Sequence, residues 1–281
     1  VTKIIILLKH TNNIYKSKVK SICVGNIYLG GTGKTQLVIK ISEILKKKHK
    51  IFVIKKNYKN QIDEQKLIKK KSNLILTKAR VDGIKKINKN KKNLAVFDDG
   101  LQDKSLQYDI TIACFSSISG IGNGKLLPAG PLREELSELK KYDAVFINGK
   151  KNNQLLKKIK SFNSKIKIFN GRYILKNRKN FKKNAKFLAF CGIGTPENFF
   201  NLLKESKIKV RKKIIFPDHH NYNEEDIQKI KEIANKNNLK LVTTEKDYIK
   251  LYNFKKFDVK VTNVDLQIDN ISTFKKFLTK N

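Results

Sequence analysis

The sequence predicts an α/β protein: a lobe built on a parallel sheet and a smaller α/β second lobe, joined by a short two-stranded linker. Three observations carry this. Short apolar runs at 21–25, 51–54, 94–97, 110–115 and 144–147 recur with helical or irregular stretches between them, the alternation that builds a parallel sheet. A second series starts near Lys186, with strand-like runs at 187–190, 208–215 and 241–243 and a helical pattern over 224–237. The segments 166–175 and 258–268 alternate apolar and polar residues, as two paired strands would. The basic stretch 176–186 marks the boundary, so the expected lobes are 1–175 and 176–281.

Composition bounds the class. The chain has 281 residues, 40% of them hydrophobic, enough for a sizeable core. Its longest aliphatic run, 4–8, is far short of the roughly 20 residues that span a bilayer. Cys23, Cys114 and Cys191 each sit in an apolar run without metal-ligand spacing. They read as buried, reduced thiols of a cytoplasmic protein. The net charge is +38, which favours a polyanionic neighbour, either nucleic acid or an anionic membrane surface. Lysine carries most of that charge. Arg80, Arg133, Arg172, Arg178 and Arg211 are the five arginines, so each marks a place where a bidentate fork is of use.

The stretch "GNIYLGGTGKT" (25–35) joins the apolar run 21–25 to a helical pattern in Leu37, Val38, Ile41, Ile44 and Leu45. A glycine-rich turn between a strand and a helix N-terminus presents unpaired N–H groups, which suit a phosphate. Gly30, Gly31, Thr32 and Gly33 let the backbone wrap closely. Lys34 reaches the outer phosphates, and the Thr35 hydroxyl ligates Mg²⁺. This is a P-loop with one departure: the strict pattern has glycine where this chain has Tyr28. The fold class is therefore a P-loop NTPase-like sheet. "NLAVFDDGLQD" (93–103) supplies the second half of such a site. Asp98 and Asp99 end a buried strand, and paired acids there call for a cation between them. ATP and Mg²⁺ are the implied ligands.

Six collinear blocks then carry a resemblance. They are "VGNIYLGGTGKT" (24–35), "FDDGLQD" (97–103), "GIGNGKLLPAGPLREE" (120–135), "AFCGIGTPENFF" (189–200), "FPDHHNY" (216–222) and "LVTTEKDYIKL" (241–251). In these the chain resembles the tetraacyldisaccharide 4′-kinases of lipid A biosynthesis. The resemblance implies transfer of the ATP γ-phosphate to the 4′-hydroxyl of a tetraacylated glucosamine disaccharide 1-phosphate. It also implies a peripheral location on the anionic cytoplasmic face of the inner membrane. Asp63, in "QIDEQKL" (61–67), matches the family's catalytic aspartate and becomes the general base. His219, in the "FPDHH" block, matches its histidine partner. Arg80, in "LTKARVDGIKK" (76–86), and Arg133, in "GPLREE" (130–135), lie in segments that align with the family and are expected at phosphates. By sequence order Asp63 falls on the first lobe and His219 on the second, so the two are expected to be apart without ligand.

The chain departs from the family in three places. "KKNYKN" (55–60) stands for an Arg-Gly-Tyr-Gly run, Asp103 stands where the family has His, and 3–20 stands for a longer apolar, basic membrane-contacting segment. The rival readings are a P-loop GTPase, a nucleic-acid-associated ATPase and an inactive nucleotide-binding homologue. A GTPase needs Asn-Lys-x-Asp, whereas Thr244-Glu245-Lys246-Asp247 has its lysine one place late. A nucleic-acid ATPase needs aromatic and basic residues interleaved on a strand face, and the aromatics here sit in apolar runs or loop blocks. The partners expected are the lipid disaccharide and the membrane surface, with no nucleic acid, and the expected state is a monomer.

Overall fold

The computed structural model describes residues 14–252, 254 and 257–280. The chain forms two compact units. One comprises 1–57, 68–172 and 268–281, and the other 58–67 and 173–267. This division differs from the expected halves in two segments. Residues 58–67, which carry Asp63, belong with the second unit, and 268–281 return to the first.

The first unit contains β1 (Tyr15–Lys16), β2 (Lys20–Gly25), β3 (Lys50–Lys56), β4 (Asn73–Thr77), β5 (Asn93–Asp98), β6 (Leu106–Gln107), β7 (Ile110–Ser116) and β8 (Ala144–Asn148). The chain passes between the units within β9 (Lys167–Leu175) and β14 (Val264–Ile268). Those two strands are neighbours in an eight-stranded sheet of order β14-β9-β8-β7-β2-β5-β3-β4. This is the two-strand linker read from the alternation in 166–175 and 258–268. From β9 to β4 every pairing is parallel. β1 and β6 form a separate parallel pair.

β2 lies between β5 and β7 and is buried from Ser21 to Gly25. Burial on both faces explains why its sequence is continuously apolar rather than alternating. From β2 the chain crosses through the helix Lys34–Leu45 toward β3, whereas from β5 it crosses to β7 on the other side. Ligands bind at such a switch point, outside the carboxyl ends of the strands. β4, like the two-residue β1 and β6, is a strand the sequence reading missed. It is a short edge strand, mostly part-exposed, and it follows a run of lysines that masks its pattern.

The second unit has a four-stranded parallel sheet of order β11-β10-β12-β13. Its strands are β10 (Lys186–Cys191), β11 (Lys209–Ile215), β12 (Lys240–Thr244) and β13 (Lys260–Thr262). Side chains of β10 alternate between two cores. Phe187, Ala189 and Cys191 pack with Phe199 and Leu203 of the helix Pro196–Glu205. Leu188 and Phe190 pack with Ile227, Ile230 and Ala234 of the helix Glu224–Lys236. The three cysteines are free and buried.

The last helix, Ile271–Leu278, closes the first unit. Asn270 caps it, accepting from the Thr273 N–H. Phe274 is fully buried, with its ring 6.0 Å from Phe146 and 4.8 Å from Phe169. Truncating it leaves a cavity against both strands, so Phe274→Ala is expected to lower stability by about 3–5 kcal/mol in urea unfolding. A loss below about 1 kcal/mol would place this helix outside the core.

Candidate active site

The P-loop grows from the β2–β5 pairing, which sets Val24 opposite Asp98. The loop leaves β2 one residue later and ends at Gly33, whose φ of 91° caps the helix Lys34–Leu45 in a left-handed conformation. Gly30 has a φ of 121°, another conformation that a Cβ disfavours. No side chain caps the helix and no acid sits in its first turn. Its first N–H groups therefore have no side-chain cap among the described residues. Thr32 Oγ1 is buried and has no partner among the described residues.

Tyr28 departs from the P-loop pattern for a visible reason. It forms an antiparallel bridge with Leu132. The Leu29 N–H donates to the Pro131 carbonyl at 2.7 Å, and the Arg133 N–H donates to the Ile27 carbonyl at 2.7 Å. The early loop is thus laced to the "LLPAGPLR" segment, and residue 28 does not need the freedom of glycine. Asn26, buried and unremarked in the sequence, joins both sides. Its Nδ2 donates to the Tyr28 carbonyl, and its Oδ1 accepts from Arg133 Nη1 at 2.9 Å.

The double aspartate divides into two roles. Asp98 is fully buried. Its Oδ2 accepts from Lys55 Nζ at 2.8 Å and lies 3.4 Å from Thr35 Oγ1. Its Oδ1 has no partner among the described residues. Asp99 has a φ of 59° and points its carboxylate to Arg133 Nη1 at 2.8 Å and Lys34 Nζ at 3.9 Å. Burial raises its proton affinity, but Lys34 and Arg133 outweigh that and hold the carboxyl below the usual range. An orphaned carboxylate oxygen beside a threonine hydroxyl fits Mg²⁺, which takes one or two protein oxygens and fills its shell with water and phosphate. Thr35 and Asp98 fit that role better than Asp99, which is already matched by two cations.

Arg80, expected at a phosphate, is committed inside the fold. It is 4% exposed. Its Nη1 donates to Asp103 Oδ2 at 3.1 Å and its Nη2 to the Asp99 carbonyl. Asp103, which replaces the family's histidine, thereby gives a buried guanidinium its counter-ion.

The proposed base lies in the second unit. Asp63 begins the helix Ile62–Lys71 and is 3% exposed. Its Oδ1 and Oδ2 lie 3.1 and 3.2 Å from His219 Nδ1, and its Oδ2 lies 3.9 Å from Lys250 Nζ. The expectation that the two residues stand apart is overturned, because 58–67 fold with the second unit. Burial raises the Asp63 proton affinity; the His219 hydrogen bond and the charges of Lys246, His219 and Lys250 more than reverse it. The same hydrogen bond raises that of His219 against its burial. His219 holds a φ of 59°, an uncommon conformation that clusters at functional sites. Its neighbour His220 is structural. It bonds Asp226 Oδ2 at 2.7 Å and stacks on Phe216 at 4.7 Å, steadying the capping box of the next helix.

Among the described residues, no group of three or more His, Cys, Asp or Glu is gathered for a metal, and no helix is long and apolar enough to cross a membrane. Residues 3–13 of the expected membrane-contacting segment lie outside the described residues. Residues 14–20 supply β1 and the start of β2.

Comparison with known proteins meets this geometry. The profile of the family described as LpxK, tetraacyldisaccharide-1-P 4′-kinase, matches residues 3–281. A tetraacyldisaccharide 4′-kinase of Pelagibacter ubique is 41% identical, covering 94% of this chain and 85% of the relative. One from Rickettsia akari is 34% identical, covering 89% and 81%. A crystal structure of LpxK from Aquifex aeolicus, an "apo" form in complex with ATP, superposes with a TM-score of 0.69 at 25% identity, covering 95% of this chain and 89% of that one. A P-loop lobe, a second α/β unit and a profile match along nearly its whole length lead to one conclusion: the chain belongs to the tetraacyldisaccharide-1-P 4′-kinase family.

Proposed function

We propose that this chain performs the reaction of its family, in lipid A biosynthesis: transfer of the ATP γ-phosphate to the 4′-hydroxyl of a tetraacylated glucosamine disaccharide 1-phosphate. The observation that carries the reading is the Asp63–His219 pair, at 3.1 Å, in a chain that also holds an uncapped P-loop helix. Phosphoryl transfer asks the protein mainly for alignment and charge neutralisation. The residues divide those tasks.

The N–H groups of 30–35 cradle the ATP phosphates, and Lys34 neutralises the transferred group. Mg²⁺, held by Thr35 and Asp98, would draw charge from the β- and γ-phosphates. Asp99 holds Lys34 and Arg133 in place, and the Arg133 guanidinium serves a phosphate oxygen. Asp63 accepts the proton of the 4′-hydroxyl as the new O–P bond forms and the bond to the ADP oxygen breaks. His219 orients the carboxylate and stabilises its charge. An inactive homologue is disfavoured because a carboxylate with its histidine partner and an intact "GGTGKT" are both retained.

The test is transfer of radiolabel from ATP to a lipid disaccharide 1-phosphate. Wild type is expected to transfer it. Lys34→Ala and Asp63→Asn are expected to lose about 10²-fold or more while circular dichroism stays unchanged. Asp63→Asn at the wild-type rate would remove the base. Asp98→Asn is expected to weaken Mn²⁺ binding to the ATP complex, read by electron paramagnetic resonance, more than Asp99→Asn does. The reverse order would exchange their roles.

The membrane reading is peripheral. A net charge of +38 and a short apolar stretch at 4–8 make electrostatics the main attraction to the anionic cytoplasmic face of the inner membrane. Co-sedimentation with anionic vesicles is then expected to fall steeply between 0.1 and 1 M salt, as the Debye length contracts from about 10 to about 3 Å. Binding that persists at 1 M would indicate insertion instead.

A further inference from the structure

Four separate blocks of the second unit meet at one ammonium group. Lys250 Nζ lies 3.1 Å from Asp247 Oδ1 and 3.9 Å from Asp63 Oδ2. It also lies 3.4 Å from the Gly192 carbonyl and 5.7 Å above the Tyr222 ring. Its side chain is 9% exposed. These contacts draw on "QIDE", "CGIG", "HHNY" and "TTEKDYIK", which are far apart in sequence.

Asp247 explains why the ammonium stays there. It is fully buried. It accepts from the Gly192 N–H at 3.0 Å, the Tyr222 hydroxyl at 3.0 Å and the Thr244 hydroxyl at 2.6 Å. These bonds fix the carboxylate, but a buried anion still needs a counter-charge. The helix Glu245–Lys250 supplies one from three residues on, on the same face. Gly192 makes the approach possible, since a Cβ there would meet the Pro217 carbonyl at 2.9 Å and His220 Cβ at 3.1 Å. The ammonium is thus shared between a carboxylate that the mechanism does not use and the one that it does.

We propose that Lys250, anchored by Asp247, is a positioning residue for phosphoryl transfer, holding the Asp63 carboxylate ionised and turned toward His219. This rests on the reading of Asp63 as the base. The groups facing Asp63 are His219 from the 216–222 loop and Lys246 and Lys250 from the helix Glu245–Lys250. Lys246 is itself paired with Glu64, and Asp218 lies beside His219. Lys250 is the cation that a second, fully buried carboxylate pins against the base. A nearby positive charge favours the deprotonated pair, so removing it must raise the pair's apparent pKa.

The experiment is the pH dependence of kcat and kcat/KM for wild type, Lys250→Met, Lys250→Arg and Asp63→Asn, with a melting temperature for each. Lys250→Met keeps the aliphatic stem and removes the charge. Its acid limb is expected to move up by about one unit, an about tenfold loss of rate at a fixed pH on that limb, with KM for ATP unchanged. Lys250→Arg is expected to return the limb most of the way. If Lys250→Met does not fold, Lys250→Gln, which can still donate to Asp247 and Gly192, is expected to shift the limb in the same direction. A lowered melting temperature with the acid limb in its wild-type place would overturn the proposal while leaving Asp63 as base. Wild-type activity of Asp63→Asn would instead sink the base, and the role of Lys250 with it.

Discussion

The site in the first unit depends on one register. Parallel pairing of β2 with β5 sets Val24 against Asp98. A buried carboxylate therefore arrives beside the first turn of the helix that follows the P-loop. That turn has N–H groups to spare and a lysine and threonine at its start. A slip of two residues along β5 would keep every side chain on its own face of the sheet, yet it would carry Asp98 roughly 7 Å away from Thr35. Gly83 and the β3–β5 pairing keep that region tight. A Cβ on Gly83 would meet Ile54 at 2.7 Å, so β3 and the helix Arg80–Lys85 pack closely.

Each unit places charges in its own interior. Lys55 with Asp98, Arg80 with Asp103 and Lys250 with Asp247 are each pairs in which at least one partner is nearly inaccessible. Such pairs add little net stability, because desolvation offsets their attraction, but breaking one leaves an uncompensated buried charge. Their consequence here is geometric. Lys55 occupies one oxygen of Asp98 and leaves the other open. Arg80 reaches past Asp103 to the carbonyl of Asp99 and so supports a backbone at a φ of 59°. Asp247 fixes an ammonium that faces a second carboxylate. In each case a cation held inside one unit supports the placement of a neighbouring acidic residue.

Much of this was legible in the sequence, and the limits are physical. The buried strands were readable because both faces are apolar, and the P-loop because glycine, lysine and threonine have fixed jobs at a helix start. β4 was hidden because an edge strand needs only one packed face. The partners of Arg80 were not legible because the scarcity of arginine signals a need for its fork without saying what the fork grips. Here it grips Asp103, 23 residues away. Asn26, Lys55, Asp247 and Lys250 gave no signal of their own. Their importance comes from burial and from partners brought close by the sheet, which spacing along the chain does not encode. Asp103 looked like a loss when set beside the family's histidine. It is the anion that a buried arginine requires.

The placement of Asp63 changes what the two units have to do. Sequence order assigned the base to the P-loop lobe, so its pairing with His219 had to await an approach of the two halves. The fold gives residues 58–67 to the second unit. The carboxylate, its histidine and both lysines that act on it all belong to that unit. The groups that lower the proton affinity of this carboxylate, His219, Lys246 and Lys250, therefore belong to its own unit. His219 at a φ of 59° holds a conformation uncommon outside glycine, and the hydrogen bond to Asp63 is one of its contacts there. Pairing two such groups in advance removes the cost of ordering them during the reaction. What remains for ATP and the lipid acceptor to supply is the alignment of the 4′-hydroxyl with the γ-phosphate.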